Sequence, residues 1–200
     1  MIDQISSVRD LLQARAEIGA VLSTDPMLRW IFPDDGTRAE CSTAWLGLFV
    51  DAYAMSGIAD VTRDESGNVI GVALWRVPGT AKLTFPAQPT VGGLLRSLVP
   101  PDRLKEISAG LATFSAHRPA DQFAYLHFLV VAHEHQGRGL GTQLLRHGLS
   151  RAREGQLQTY LETTNETNVA FYVANGFILN DTWGLGANGP NAWGLVSPTM

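Results

Sequence analysis

The sequence predicts one domain of the α/β or α+β class, built on a single mixed sheet. Its 200 residues match the length of one ordinary globular domain. The second half alternates strand, helix, strand and helix before two final strands, an order that gives both parallel and antiparallel pairs. The apolar run Phe123–Val131, bounded by polar residues, has the pattern of a buried central strand.

Caps and turns set the elements of the first half. Ser7 is placed to cap a helix, and Asp25-Pro26 ends that helix because the residue before a proline avoids helical geometry. Thr37–Glu40 has the spacing of a capping box for a second helix, with Gly57 after its end. The predicted elements are a short strand at 2–5, the capped helix, a helix at 38–55, strands at 58–62 and 69–77, an irregular segment at 78–89, and helices at about 91–98 and 102–116.

Periodicity is clearer in the second half. Leu140, Leu144 and Leu149 share one face of a helix over 139–153. Residues 157–164 alternate in the manner of a half-buried strand. The remaining predictions are a short helix at 168–175 with Gly176 as a left-handed cap, and strands at 177–183 and 192–197.

Composition excludes several classes of protein. The formal net charge is −4, which argues against a general nucleic-acid binder because such proteins need a basic surface. The single cysteine, Cys41, rules out a disulfide within the chain. No apolar run reaches the roughly 18 residues of a membrane span, and the N-terminus carries no apolar signal core. We therefore expect a cytoplasmic protein that binds neither nucleic acid nor membrane.

The chemistry is concentrated in the glycine-rich stretch that follows the buried strand, residues 136–141. Glycines permit positive φ angles, and a turn that leads into a helix N-terminus presents backbone N–H groups to an anion, most naturally a phosphate. The stretch is not a P-loop, since it contains no lysine, and Gly137, Gly139 and Gly141 are too closely spaced for the dinucleotide fingerprint.

Two blocks of residues resemble a known family. The pattern Gln136-x-x-Gly139-x-Gly141 after a strand is similar to the acetyl-CoA diphosphate loop of the GNAT N-acetyltransferases. A second block, Leu161–Thr164 followed by Asn168 and Phe171-Tyr172, lies at the expected distance. The resemblance implies a central mixed, mostly antiparallel and twisted sheet of six to seven strands flanked by helices, splayed between the fourth and fifth strands. It also implies an acceptor-side half at about 1–120 and an acetyl-CoA-binding core at about 121–200.

Within that family the sequence looks most like the puromycin N-acetyltransferases, which carry similar blocks and a counterpart of Ala73–Pro78. This likeness implies direct acetyl transfer to a primary amine of a small molecule, with an aminonucleoside antibiotic-like compound as one candidate. The alternatives are a polyamine, an amino acid or a protein N-terminus as acceptor, or a non-catalytic acyl-CoA sensor. The chain is expected to be a monomer or a homodimer.

The resemblance also assigns the residues that contact acetyl-CoA. Backbone groups of Leu129 and Val131 are expected to pair with the pantetheine arm as an added strand would. N–H groups of the turn hold the diphosphate, and Asn168 helps to hold the coenzyme. The full expected set is Leu129, Val130, Val131, Gln136, Gly137, Arg138, Gly139, Leu140, Gly141, Thr142 and Asn168, with no metal ion.

Three side chains are candidates for proton transfer. The resemblance implies that Tyr172 is the general acid for the departing thiolate, although packing of a short helix also explains an aromatic residue there. Glu162 and His127 are candidates for accepting the amine proton, and both have plain structural roles as alternatives. For the acceptor we expect contacts from first-half aromatic residues and from the face of His127, namely Trp30, Trp75 and Tyr125.

Overall fold

A computed structural model describes residues 1–56, 58–79 and 90–197 of the chain. The predicted helix stop at Gly57 and most of the predicted irregular segment lie outside the described residues. The described elements are β1 (Ile2–Gln4), α1 (Val8–Leu22), α2 (Pro26–Ile31), α3 (Arg38–Ser56), β2 (Ala59–Arg63), β3 (Val69–Arg76), α4 (Val91–Leu98), α5 (Pro101–Ala116), β4 (Phe123–Val131), α6 (Leu140–Glu154), β5 (Gln158–Thr163), α7 (Thr167–Ala174), β6 (Ile178–Gly184) and β7 (Asn191–Ser197).

The strands form one seven-stranded sheet in the order β1-β2-β3-β4-β5-β7-β6. Neighbouring strands are antiparallel except β4 and β5, because helix α6 links these two as a crossover. The β4–β5 pairing begins at Phe123 with Gln158 and stops at Leu126 with Leu161, whereas β4 continues to Val131. The sheet therefore splays between its fourth and fifth strands, and the predicted mixed architecture is confirmed.

Helices cover both faces of the sheet. The larger core cluster packs α1–α5 on one face, around the buried side chains of Ile18, Trp45 and Ile107. A second cluster packs α6 and α7 on the other face, around Leu144 and Leu145. No helix among the described residues is long and apolar enough to cross a membrane.

Ser7 and Asp25 both cap helices in the first half, but only the cap at Ser7 was predicted. Ser7 caps α1 as predicted: its hydroxyl oxygen accepts the Asp10 N–H over 3.1 Å, and the Asp10 carboxylate accepts the Ser7 N–H over 3.1 Å. Asp25, predicted only as a helix end, also begins the six-residue helix α2, because its carboxylate accepts the Met27 N–H over 2.8 Å. The sequence analysis missed α2, and it also missed a one-turn 3₁₀ helix at His133–His135.

Candidate active site

The turn between β4 and α6 has the geometry of an anion site. Gly137 and Gly139 hold φ angles of 74° and 77°, a region that side chains other than glycine rarely adopt. Helix α6 begins immediately after Gly139, which provides no side-chain cap. The first N–H groups of the helix, from Leu140 onward, therefore lack an intrahelical carbonyl partner and face outward with the positive end of the helix dipole.

Space above this turn is open. A Cβ atom added at Gly137 or Gly139 would meet no described atom within 4 Å. One added at Gly141 would make only ordinary contacts, 3.7 Å from Phe171 and 3.8 Å from Val131. The protein's own packing thus leaves room for a side chain at position 141, and the glycine there keeps the backbone accessible to a ligand. The cradle fits a phosphate-bearing ligand that approaches the backbone closely.

The edge of β4 beside the splay offers backbone groups to a ligand. The Ala132 N–H donates to the carbonyl of Ile70 in β3, so it points toward β3. Because hydrogen-bonding direction alternates along a strand, the backbone groups of Val131 and Leu129 point the other way, where β5 has already diverged. The Gln136 side chain donates to the Val131 carbonyl over 2.9 Å, which leaves the Val131 N–H facing the gap.

These features belong to one cleft of about 560 Å³, here called the turn cleft. Every residue that the sequence analysis expected to contact acetyl-CoA lines it, with one exception. The exception is Arg138, whose exposed guanidinium donates to the Glu134 carbonyl over 3.1 Å. The residues expected and found on the wall are Leu129, Val130, Val131, Gln136, Gly137, Gly139, Leu140, Gly141, Thr142 and Asn168.

A second cavity of about 530 Å³, here called the aromatic cavity, opens from the same place. Its walls come from α1–α5, α7, β3, β4 and β5, and include Trp45, Phe49, Phe114 and Phe128. The two cavities share five wall residues: Leu22, Asp25, Leu129, Asn168 and Tyr172. A ligand in one can therefore reach a ligand in the other at this junction.

Tyr172 stands at the junction with an available hydroxyl. Its side chain is 8% exposed, and the hydroxyl makes no hydrogen bond to any residue in the described part of the chain. Burial raises the pKa of Tyr172 above its ordinary value, and the nearby Asp25 adds to the rise. The phenol is therefore protonated at neutral pH, the form that a proton donor requires.

Glu162 lies in the aromatic cavity, paired with an arginine. Its side chain is 4% exposed, and Arg118 Nε donates to it over 3.2 Å. The same guanidinium donates to the Tyr125 hydroxyl over 3.1 Å and lies 4.6 Å from that ring. Burial raises the pKa of Glu162 despite the arginine. A carboxylate with a raised pKa accepts a proton more readily than an ordinary one.

His127 occupies the same cavity in a different protonation state. Burial, together with the charges of Arg118 and Arg76, lowers its pKa to about 3. The Tyr53 hydroxyl lies 3.0 Å from His127 Nδ1. Burial raises the pKa of Tyr53, so the phenol keeps its proton at neutral pH. The imidazole is neutral and binds a proton weakly, so the opposite directions of the two pKa shifts favour Glu162 over His127 as proton acceptor.

Of the three acceptor residues expected from the sequence, Tyr125 lines the aromatic cavity, but Trp30 and Trp75 line neither cavity. Trp75 lies on the opposite face of the sheet, 1% exposed, where a Cβ added at Gly148 of α6 would fall 2.1 Å from its ring. Trp30 packs beside Gly110 of α5. Both tryptophans fill core space, and neither is retained as an acceptor contact.

Three charged wall residues escaped the sequence analysis. Arg76 and Arg118 line the aromatic cavity, and Asp25 lines both cavities. Asp25 accepts a hydrogen bond from the Thr164 hydroxyl. The signal at Asp25 was its position before a proline, which was interpreted only as a helix stop. Arg76 ends β3, and Arg118 follows α5 by two residues. Nothing in the sequence around either arginine indicates that both side chains reach the same cavity.

The described residues contain no group of three histidine, cysteine or acidic side chains placed to hold a metal ion. His133 and His135, which flank Glu134, lie on the wall of the turn cleft.

Comparison with known proteins agrees with this geometry. A family model described as acetyltransferase (GNAT) family matches residues 30–177. Among solved structures, a protein of Corynebacterium glutamicum described as histone acetyltransferase HPA2 and related acetyltransferase is 24% identical, with a TM-score of 0.66 over 100% of this chain and 96% of that one.

Two further structures share the fold. Arylalkylamine N-acetyltransferase 2 from Aedes aegypti is 10% identical, with a TM-score of 0.68 over 100% of this chain and 99% of that one. A chain of the NatC complex bound to Gag peptide and CoA is 14% identical, with a TM-score of 0.57 over 100% of this chain and 98% of that one. The chain belongs to the GNAT family and is an N-acetyltransferase.

Proposed function

We propose that this enzyme transfers an acetyl group from acetyl-CoA directly to a primary amine of a small molecule. The observation that carries the proposal is the meeting of two cavities at Tyr172. One cavity ends in an anion-binding turn, and the other is enclosed by aromatic side chains. This arrangement brings a phosphate-bearing donor and an amine acceptor together without a covalent intermediate on the protein.

In this proposal the turn cleft holds acetyl-CoA, which supplies the activated acetyl thioester. The N–H groups from Gly137 to Thr142 bind the diphosphate, and the free edge of β4 pairs with the pantetheine arm. The Val131 N–H, which faces the gap, stabilises negative charge on the carbonyl oxygen as the nitrogen attacks. Asn168, fixed by its hydrogen bond to Thr163 over 3.3 Å, borders both cavities and helps to hold the arm.

Proton transfer completes the exchange. The neutral amine nitrogen attacks the acetyl carbonyl carbon, so that a C–N bond forms and the C–S bond breaks. Tyr172 donates its phenolic proton to the departing sulfur. Glu162, whose carboxylate lies beside Arg118 and not at the junction, accepts the proton that the amine loses through intervening water molecules. His127 stays neutral and shapes the cavity beside Tyr53.

The aromatic cavity, of about 530 Å³, favours a small acceptor with a flat, apolar portion. An aminonucleoside antibiotic-like compound is one proposed acceptor of this kind. Arylalkylamines are another, and the solved arylalkylamine N-acetyltransferase shares the fold. A polyamine fits less well, because it has no flat apolar portion to pack against the aromatic walls.

An acetylation assay on a panel of amines tests the proposal. The purified protein is incubated with acetyl-CoA and one amine at a time, covering arylalkylamines, aminonucleosides, amino acids, polyamines and peptide N-termini. Thiol release gives the rate and mass spectrometry identifies the product. We expect mono-acetylated product from aromatic amines. Tight acetyl-CoA binding with no acetylated product from any amine would indicate a non-catalytic acyl-CoA sensor instead.

A further inference from the structure

Arg76 is a charged wall residue whose charge is not neutralised by the protein. Its guanidinium carbon lies 5.3 Å from the centre of the Tyr125 ring. In the described part of the chain it makes no ion pair and no hydrogen bond. The residues outside that part include no aspartate or glutamate, so no acidic side chain there supplies a partner.

The surroundings of Arg76 make the end of the aromatic cavity positive. Arg118 lies on the same wall, and its charge is balanced by Glu162. Arg76 therefore remains as one uncompensated positive charge beside the Tyr125 ring. Its field reaches the cavity interior, since it contributes to the lowered pKa of His127 and offsets part of the rise that burial causes in the pKa of Tyr53.

The opposite end of the cavity carries an acidic group. Asp25 lies at the junction with the turn cleft, close enough to Tyr172 to raise the pKa of that phenol. Arg76 on β3 lies opposite Tyr125 on β4. Tyr125 is four residues before Leu129, which borders both cavities at the junction. Four residues of strand span about 13 Å. The cavity is therefore polarised along its length: Asp25 lies at the junction, and the far end beside Tyr125 holds two arginines, Arg76 and Arg118, against the single carboxylate of Glu162.

We propose that the acceptor carries a carboxylate or similar anionic group at the end remote from its amine, and that Arg76 binds this group. The inference rests on the proposed function, because it takes the aromatic cavity as the acceptor site. An ammonium group is attracted to the Asp25 end, the flat portion packs between aromatic side chains, and the guanidinium pairs with the carboxylate through two parallel hydrogen bonds. An acceptor of this kind neutralises Arg76, whereas a plain arylalkylamine leaves it unpaired.

The test compares each amino carboxylate with its own uncharged amide. Para-aminoethylbenzoate and its carboxamide are one such pair, and homologues with longer alkyl arms give others. Binding is measured by calorimetry with the protein saturated by CoA, so that no reaction occurs. We expect the best carboxylate to bind roughly 10-fold to 100-fold more tightly than its amide, the gain typical of hydrogen bonds to a charged group.

Variants identify the residue responsible. In Arg76→Met the ratio of the two affinities should fall close to one, and in Arg76→Lys it should be intermediate, because lysine keeps the charge without the paired donors. Arg153→Met, at an exposed position of α6, should leave the ratio unchanged. Melting curves verify that each variant is folded. If the methionine variant does not fold, the lysine variant still tests whether Arg76 binds the carboxylate.

The outcomes separate this inference from the proposed function. Thiol release with acetyl-CoA is measured on the same compounds. Carboxylate-selective binding that depends on Arg76, without turnover of any compound, would support the inference and contradict the proposed function. Acetylation of both members of each pair with equal affinities would support the proposed function and overturn the inference. Failure of every carboxylate to bind would overturn the inference as well.

Discussion

The Tyr53 hydroxyl lies 3.0 Å from Nδ1 of His127, joining helix α3 to the central strand inside the aromatic cavity. This contact engages one of the two ring nitrogens of His127. Together with the lowered pKa of His127, it separates the two proton-acceptor candidates. The histidine is a neutral wall residue, and the carboxylate of Glu162 has the raised pKa.

The pH dependence of kcat/KM distinguishes these two residues. Glu162 must be deprotonated to accept a proton, so activity should rise with pH through its pKa, which burial raises above the usual 4.5. Glu162→Gln should abolish this limb and lower kcat by about 10²-fold to 10⁴-fold. His127→Gln should keep the limb at the same pH, because a group with a pKa of about 3 does not titrate there. Loss of the limb in His127→Gln alone would assign the proton acceptor to His127.

Removal of the Tyr172 hydroxyl should affect chemistry and not coenzyme binding. Tyr172→Phe keeps the ring that packs at the junction but removes the proton donor, so kcat should fall by about 10²-fold or more. The affinity for CoA, measured by calorimetry, should stay within about twofold. Tyr160→Phe is a matched control, since that buried hydroxyl donates to the His117 carbonyl and lines neither cavity. Equal turnover in wild type and Tyr172→Phe would remove Tyr172 from the mechanism.

The chain offers a matched pair of glycines for testing the turn. Gly139 and Gly67 hold φ angles of 77° and 79°, and a Cβ atom at either would meet no described atom within 4 Å. Alanine should therefore cost both positions a similar amount of unfolding free energy, about 1–2 kcal/mol. Only Gly139→Ala should weaken CoA binding, because Gly67, in the β2–β3 hairpin, does not line the turn cleft. Equal CoA affinity in the two folded variants would argue against the turn as the diphosphate site.

The parts of this protein that were predictable from sequence are those encoded locally. The glycines of the 136–141 turn, the apolar run of β4 and the alternation of β5 each determine their own backbone geometry, so the mixed sheet followed from them, whereas the splay was implied by the family resemblance. The residues expected along the turn cleft line it, apart from Arg138, because strand, turn and helix are consecutive in the chain.

The acceptor side depends on contacts between distant segments. Trp75 was expected beside the acceptor, but a register shift between Leu74 and Trp75 accompanies its placement under α6. Asp25 reaches the site through its hydrogen bond with Thr164, which is 139 residues away in sequence. Arg118 and Glu162 pair across 44 residues. Neither periodicity nor spacing within one segment contains this information.

A crystal structure of the protein with bound acetyl-CoA, or with a non-hydrolysable analogue, tests the central claim most directly. We expect the diphosphate on the N–H groups of residues 137–142, the pantetheine arm along the free edge of β4, and the thioester sulfur within hydrogen-bonding reach of the Tyr172 hydroxyl. A coenzyme bound elsewhere, or a thioester directed away from the aromatic cavity, would contradict the account.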